Sequence, residues 1–425
     1  MEIPLGKSSG GFWKSGHKGT LLTAFLYFDF CFAVWVINGA VAPFISEHFK
    51  MSPSETGLML SIPTFAGALL RIPLGFLAQF IGRKKTAQIN MGIVVIGLLL
   101  SFTMVSSPTG LMVMGFFLGM AGASFGVALS LGSGWFPPKY KGLAMGIAGA
   151  GNSGAVLATL FGPPLAKAYG WQMVYEFAII PMLVAMLLLQ IFAKEPPDQV
   201  VKEKFSDYAK ILVDRDAWIF NLMYMLTFGG YIGLTTFLPT LFYSQYSIPK
   251  ESVGQYAAII IVMASILRII GGGIADRLGG IRMLVIISLI AIAVTGIAAT
   301  MPGSPFVMVG IMIVLFSALG AGNGAVFQLV PLRFKASTVV ASSLVGEVGG
   351  LAGAVLPTIM GYSREVTGSF APGFLAGSLL AAGVFVALML VMKQWTATWV
   401  GAGGKAHVDD VSPHSHHSDF STAER

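Results

Sequence analysis

The stretches "LLRIPLGFLAQFIG" (residues 69–82) and "ILRIIGGGIADRLG" (residues 266–279) follow one pattern, 197 residues apart. Each stretch places one arginine, Arg71 or Arg268, inside an apolar run of helical length. A charge inside an apolar helix is costly, so it needs a structural or a functional reason. These two arginines are therefore the first candidates for functional residues.

A second pair of stretches repeats with almost the same offset. "GAVLATLFG" (154–162) and "GAVLPTIMG" (353–361) are 199 residues apart, and each follows its own arginine-containing stretch. Two repeats in one order predict that the chain consists of two homologous halves.

The composition identifies the environment of the chain. Of its 425 residues, 55% are hydrophobic and only 11% are charged, with a mean hydropathy of +0.78. Soluble domains carry about 25% charged residues. Apolar runs of about 20 residues, the length of a membrane-spanning helix, recur along the whole sequence. The chain is therefore expected to be an all-α integral membrane protein. Its first apolar run is too long for a cleaved signal peptide.

The apolar runs predict twelve transmembrane helices in two halves of six. The expected helices cover residues 21–46, 55–81, 86–106, 109–136, 142–168, 172–193, 216–244, 251–277, 281–301, 303–333, 337–365 and 369–395. The expected organisation is an N-terminal segment (1–20), a first half (21–193), a polar linker (194–215), a second half (216–395) and a disordered tail (396–425).

Basic residues set the expected orientation. With twelve helices, both termini and the linker lie on one side of the membrane. Twenty of the 26 Lys and Arg residues are expected on that side. Lys50, Lys167, Lys250 and Arg364 lie on the opposite side. Lys and Arg concentrate in cytoplasmic loops, so both termini are expected in the cytoplasm. This bias explains most of the net charge of +7, and it gives no reason to expect nucleic-acid binding.

Arg71 and Arg268 remain inside helices, and the repeat brings them to equivalent positions. About ten residues, or roughly 15 Å, separate Arg71 from its helix end, which is too far for the side chain to reach the surface. Two guanidinium groups beside a common axis repel each other unless an anion lies between them. Each offers a planar fork of N–H donors, which suits a planar oxyanion. The alternative is structural pairing with the buried acids Asp29 and Glu347.

Two glycine-rich segments accompany the arginines. "GLAMGIAGAGNSGAVLATLFGPP" contains Gly149, Gly154 and Asn152, and "VGEVGGLAGAVLPTIMG" contains Gly350 and Gly353. Glycines at helical spacing are typical of closely packed transmembrane helices. They also permit one helix to bend or slide on another, so we expect a conformational role. The amide of Asn152 is expected to reach a small oxyanion.

Several motifs together resemble the nitrate/nitrite porter family of the major facilitator superfamily. They are "AGALLRIP", "FGVALSLGSGWFPPKYKG", "GIAGAGNSGA", "YMLTFGGYIGL", "GNGAVFQLVPLRF" and "VGGLAGAVLPTIMG", and they span the twelve-helix region. The resemblance implies the major facilitator fold, with two six-helix halves related by a pseudo-two-fold axis. The glycine-rich segments match the nitrate signatures of this family.

The resemblance also implies a set of binding residues. The two substrate-binding arginines of the family match Arg71 and Arg268, and its signature asparagine matches Asn152. An aromatic residue that packs on the bound anion matches Phe125. Its Tyr and Phe on the seventh helix match Tyr224 and Phe228, which lie four apart and so share one helix face.

The expected function is secondary active transport of nitrate, nitrite or both across the cytoplasmic (inner) membrane, in nitrate assimilation. We find no Walker-type loop and no enzyme constellation, and we expect no cofactor, metal or partner protein. Nitrate/nitrite exchange and nitrate–proton symport both remain open, with Asp29 and Glu347 as the candidates for proton coupling. The expected partners are the small anion, protons and membrane lipid, and the expected state is a monomer. The alternatives are transport of another small anion such as a carboxylate, and a sensor built on a transporter fold.

Overall fold

Twelve helices of membrane-spanning length make up most of the computed structural model, which describes residues 11–197, 205–334 and 338–406. They are α1 (Lys18–Phe49), α2 (Pro53–Ile81), α3 (Arg83–Met104), α4 (Pro108–Ser133), α5 (Leu143–Tyr169), α6 (Met173–Phe192), α7 (Arg215–Tyr246), α8 (Val253–Leu278), α9 (Gly280–Ala298), α10 (Pro305–Arg333), α11 (Val340–Thr367) and α12 (Ala371–Thr398). The described residues contain no strand, and the predicted all-α class and helix number are confirmed.

The connections contain short helical pieces. A helix at Phe205–Leu212 precedes α7, and 3-10 turns lie at Phe12–Lys14 and Ala402–Gly404. Within the segment from residue 396, α12 continues to Thr398, and the glycine turn at Ala402–Gly404 packs against the start of α9. The rest of the expected tail (407–425), linker residues 198–204 and the N-terminal residues 1–10 lie outside the described residues.

The helix pairs that join the two halves obey the predicted symmetry. Helix α2 packs along α11, and the equivalent pair in the repeat, α8 and α5, also packs together. Helix α1 contacts its own equivalent, α7. A pseudo-two-fold axis between the halves requires these pairings, and the central axis therefore lies among α1, α2, α5, α7, α8 and α11.

The motif shared by residues 69–82 and 266–279 ends in a glycine for a backbone reason. Its last glycine, Gly82 in the first half and Gly279 in the second, ends α2 or α8 with a φ of +91° or +95°. Residues with a Cβ rarely adopt this conformation, so the motif fixes a sharp turn into the next helix. In the first half, the backbone N–H groups of Arg83 and Lys84 beyond this turn donate to the Glu195 carboxylate at 2.7 and 2.8 Å.

Four helices are interrupted, and three of them, α1, α5 and α7, are central. Helix α1 breaks between Trp35 and Ile37, and α4 breaks between Gly122 and Phe125. Helix α5 contains a 3-10 turn at Ala150–Ser153, and α7 contains a π-helical turn at Met225–Gly229. Such interruptions release backbone groups from the regular helical ladder, and π turns are frequent at functional sites.

The halves are joined at the far end, which we define as the end of the bundle opposite the chain termini. Lys250 and Glu251, adjacent residues before α8, pair with two helices of the first half. Lys250 pairs with Glu47 of α1, and Glu251 lies 2.5 Å from the Lys167 ammonium of α5. The hydrogen bond from Lys167 lowers the pKa of the Glu251 carboxyl, so this pair stays charged at neutral pH.

Further contacts at the far end join α2 to α11. The Ser54 N–H donates to Glu365 at 2.9 Å, and the hydroxyls of Ser61 and Thr358 lie 2.8 Å apart. Ser61 is only 7% exposed. The far end is therefore closed in this conformation.

The glycines of α5 and α11 named from the sequence differ in their surroundings. A methyl group added at Gly154 would overlap the carbonyl oxygen of Asp29 on α1, whereas one at Gly149 would meet only Leu129, at 3.7 Å. In α11, a methyl at Gly350 would lie 3.1 Å from Ala68, and one at Gly353 would overlap Ile232. Gly154, Gly350 and Gly353 thus permit close helix packing, and Gly149 does not need to be glycine for that reason.

We predict that Lys250→Glu opens the far end. The change replaces an ion pair between the halves by a repulsion, so the open conformation should become more populated, by a modest factor because the pair is exposed to solvent. The measurement is the rate at which a water-soluble thiol reagent modifies a Ser61→Cys variant in a Cys31→Ser background. The double variant Glu47→Lys/Lys250→Glu should restore slow modification. Equal rates in all three proteins would assign the pair no role in closure.

We predict that Gly154→Ala destabilises the protein and that Gly149→Ala does not. Overpacking of a close contact costs about 1–3 kcal/mol, while alanine is the better helix former by about 0.5–1 kcal/mol where space allows. Thermal unfolding of the purified variants in detergent checks this, with a lower Tm expected for Gly154→Ala only. The two substitutions serve as controls for each other, and similar Tm values would contradict the packing assignment.

Candidate functional site

Arg71 lies at the centre of the bundle and contacts both halves. Its side chain is 8% exposed. Nε donates to the Gly122 carbonyl at the break in α4, at 3.2 Å, and Nη1 donates to the Gly346 carbonyl of α11, at 2.9 Å. Its remaining nitrogen, Nη2, is buried and has no hydrogen-bond partner. The guanidinium therefore keeps a free donor inside the protein.

Arg268 reaches the same place from α8. The guanidinium carbons of Arg268 and Arg71 each lie 5.5 Å from the centre of the Phe125 ring. Nη1 of Arg268 is buried and has no hydrogen-bond partner either. The structure thus brings the two arginines of the repeat to one aromatic ring, each with an unused N–H group.

Aromatic rings surround these guanidinium groups. Arg71 also lies over Trp35 of α1 at 5.4 Å and over Phe228 of α7 at 5.5 Å. The rings of Tyr224 and Phe228 are stacked, with centroids 5.1 Å apart and an angle of 9° between their planes. Cation–π contacts of this kind stabilise a desolvated guanidinium by up to about 2 kcal/mol.

Tyr224 supplies another unused polar group. Its side chain is fully buried, and its hydroxyl has no hydrogen-bond partner. The hydroxyl interacts electrostatically with both Arg268 and Arg71. Tyr224 and Phe228, which the family resemblance implies as binding residues, thus lie together beside the arginines.

Asn152 lies in the 3-10 turn of α5 and is 1% exposed. Its amide is oriented so that both the oxygen and the nitrogen have hydrogen-bond partners. The oxygen accepts from the Tyr231 hydroxyl at 3.3 Å, and the nitrogen donates to the carbonyls of Gly149 and Ala150. Tyr231 belongs to the other half, and its ring centroid is 6.3 Å from that of Phe228. Asn152 is therefore linked to the aromatic cluster through Tyr231.

The two buried acids differ in position. Asp29 is 6% exposed and accepts a hydrogen bond from Ser153 at 2.6 Å, so it ties α1 to α5 within the first half. Glu347 of α11 follows Gly346, the residue whose carbonyl binds Arg71, and it interacts electrostatically with Arg71. Only Glu347 therefore belongs to the surroundings of the arginines.

Two residues of this cluster escaped prediction from the sequence. Trp35 fixes its ring with a hydrogen bond from Nε1 to the Pro63 carbonyl, at 2.8 Å, and Tyr231 contacts Asn152. Nothing in the sequence distinguishes Trp35 from other aromatic residues of transmembrane helices. Tyr231 lies seven residues after Tyr224, two helical turns along the same face, and that spacing is a usable signal.

Comparisons with known proteins agree with this architecture. The sequence profile of the Major Facilitator Superfamily matches residues 23–357. The chain is similar to two solved structures of a bacterial homologue of the human lysosomal transporter Spinster, in inward-facing occupied and unoccupied conformations. TM-scores are 0.62 and 0.65 at 20% and 19% identity, and the matches cover 89% of this chain and 93% and 96% of those chains. At this identity the likeness shows the fold.

Relatives with curated names are more similar in sequence. A probable nitrate transporter NarT of Staphylococcus carnosus is 31% identical over 92% of this chain and 98% of its own length. A nitrite extrusion protein of Bacillus subtilis is 29% identical over 86% of this chain and 91% of its own length. Together with the profile match and the twelve helices, these relatives confirm the family resemblance read from the sequence. The chain is a multi-pass membrane transporter that belongs to the Major Facilitator Superfamily.

Proposed function

We propose that this protein transports nitrate, nitrite or both by alternating access, with the anion held between Arg71 and Arg268. One observation carries the proposal: each guanidinium keeps a buried N–H without a protein partner, and both lie 5.5 Å from one aromatic ring. Buried donors without acceptors are costly, and a bound anion would satisfy them. The names of the relatives support nitrate and nitrite as the anions.

The walls of the site favour a weakly hydrated, flat anion. Phe125, Trp35 and Phe228 provide ring faces, while the Tyr224 hydroxyl provides one more donor. A planar monoanion loses little hydration in such surroundings, whereas a multiply charged anion loses much. Asn152 completes the proposed set, because rotation of its amide away from the backbone would free its N–H₂ group for the anion.

The closed far end indicates how access alternates. In this conformation the ion pairs of Lys250 and Glu251 and the contacts of α2 with α11 seal one side. Opening that side requires the halves to rock about the central site, with the glycine-lined contacts of α5 and α11 as sliding surfaces. Because the whole path lies within one chain, a monomer suffices.

The distribution of Lys and Arg supports an orientation for this path. The end of the bundle that holds the chain termini carries most of the basic residues, so we place both termini in the cytoplasm and the far end outside. The membrane is then the cytoplasmic (inner) membrane, whose lipids contact the outer helix surfaces. In this frame residues 21–193 and 216–395 are the two moving halves, and residues 194–215 connect them.

Two energy sources are compatible with this site. In exchange, nitrate crosses in one direction and nitrite in the other, so the halves rock only while the arginines hold an anion. In symport, a proton accompanies nitrate, and a titratable group must then respond to the bound anion. Both modes use the same arginine pair.

We predict that Arg71→Lys and Arg268→Lys each reduce nitrate transport at least tenfold. Lysine keeps the charge but loses the planar fork, and at position 71 it also loses the geometry that reaches Gly122 and Gly346 together. The measurement is uptake of labelled nitrate into proteoliposomes that contain nitrite. Arg215→Lys, at an exposed arginine at the start of α7, is the matched control and should transport normally.

Thermal unfolding of each variant separates transport from folding. Folded lysine variants with normal uptake would give the arginine pair a structural role. An absence of nitrate movement in the unsubstituted protein, with internal nitrite and with an imposed pH gradient, would overturn the proposed substrate.

A further inference from the structure

Glu347 is a buried acid beside the proposed anion site with an unsatisfied oxygen. Its side chain is 6% exposed, and its Oε2 atom has no hydrogen-bond partner. The residue before it, Gly346, binds Arg71 through its carbonyl, and the Glu347 carboxyl lies near enough to Arg71 to interact with its charge. Glu347 and Arg71 form no ion pair among the described residues, although they interact electrostatically.

The groups on the helices packed against α11 define the charge that Glu347 experiences. Helix α2 contributes Arg71, whose charge is the one that acts on the Glu347 carboxyl. Helix α7 contributes Tyr224, whose ring packs against Gly349. Arg268 of α8 acts on the same guanidinium of Arg71. On the short helix before α7, Lys210 and Asp207 pair with each other at 2.9 Å.

This arrangement gives the empty site a definite charge. With Glu347 ionised, two guanidinium groups and one carboxylate leave one net positive charge. With Glu347 protonated and one monoanion bound, the net charge is again one. The empty and the loaded site therefore present the same charge when the halves rock. Without the carboxylate, the empty site would hold two uncompensated arginines.

The same arrangement links the anion to the proton. An ionised Glu347 repels an anion at Arg71, and protonation removes that repulsion. By thermodynamic reciprocity, a bound anion must then strengthen proton binding to Glu347 by the same factor. Anion and proton consequently bind together and leave together.

We propose that Glu347 binds a proton whenever the site binds its anion, and that its carboxylate compensates part of the charge of the arginine pair when the site is empty. The inference rests on the proposed function, and it assigns symport of one proton with each monoanion to this site. The proton comes from water on the side to which the site is open, and it leaves to water on the other side, with no bond other than O–H formed or broken.

Asp29, the other buried acid named from the sequence, does not fit this role. Its carboxylate accepts a hydrogen bond from Ser153, and the backbone of Asp29 packs against Gly151 and Gly154 within one half. None of the charges that act on Arg71 comes from Asp29. Its protonation would therefore not respond strongly to an anion at the arginines.

We predict that nitrate added to the purified protein causes proton uptake that Glu347→Gln abolishes. The measurement is the pH change of a weakly buffered detergent solution, with uptake of up to one proton per protein expected without the substitution. Glu176→Gln is the matched control, because Glu176 is also a glutamate of a transmembrane helix, but it accepts a hydrogen bond from Ser101 at 2.8 Å and does not act on Arg71. It should take up protons as the unsubstituted protein does.

Transport gives the second readout. In proteoliposomes without internal anion, an acidic exterior should drive nitrate uptake, and Glu347→Gln should reduce this uptake at least tenfold while nitrate/nitrite exchange stays measurable. Proton uptake that survives in Glu347→Gln, or that is lost in Asp29→Asn instead, would overturn the inference.

Measurements on the unsubstituted protein distinguish a failure of this inference from a failure of the proposed function. Exchange of nitrate without any proton uptake on binding would contradict the role of Glu347 and leave the transport proposal intact. No nitrate movement in any arrangement would contradict the transport proposal itself. Because this comparison uses no substitution, it holds even where Glu347→Gln fails to fold.

Discussion

The placement of two arginines inside a membrane protein, Arg71 buried and Arg268 half-buried, is the constraint on which the rest of this structure depends. A single arginine at the centre of a transmembrane helix costs about 3 kcal/mol even on the most permissive scales. The protein offsets this cost at Arg71 with carbonyls of α4 and α11 and with three aromatic rings. These contacts do not compensate the whole cost, because a buried nitrogen of each arginine, Nη2 of Arg71 and Nη1 of Arg268, has no hydrogen-bond partner.

The partners of Arg71 come from both halves, and this has a consequence for motion. Gly122 belongs to the first half, while Gly346 and Phe228 belong to the second. A rocking motion that separates α2 from α11 on one side must change these contacts. The energy of the arginine is therefore coupled to the conformation, and any ligand that satisfies the arginine also shifts the balance between conformations.

The sequence predicted the architecture because the relevant signals are local. Apolar runs predicted the twelve helices, and the two similar stretches at residues 69–82 and 266–279 predicted the repeat and the paired arginines. The helix interruptions at Val36, Ala150–Ser153 and Met225–Gly229 were not predictable, because they depend on tertiary contacts that compensate the freed backbone groups. The same holds for Trp35, whose role follows only from its place over Arg71.

The two buried acids make this limit concrete. From the sequence, Asp29 and Glu347 are equivalent candidates, because both are isolated acids in apolar helices. Their difference is one of partners: Asp29 has a serine hydroxyl at 2.6 Å, whereas one oxygen of Glu347 has none. An acid with a hydrogen-bond partner in its own half, such as Asp29, stabilises that half whether or not an anion is bound. An unsatisfied acid beside an unsatisfied arginine responds to whatever enters between them, and that response is the physical basis for coupling.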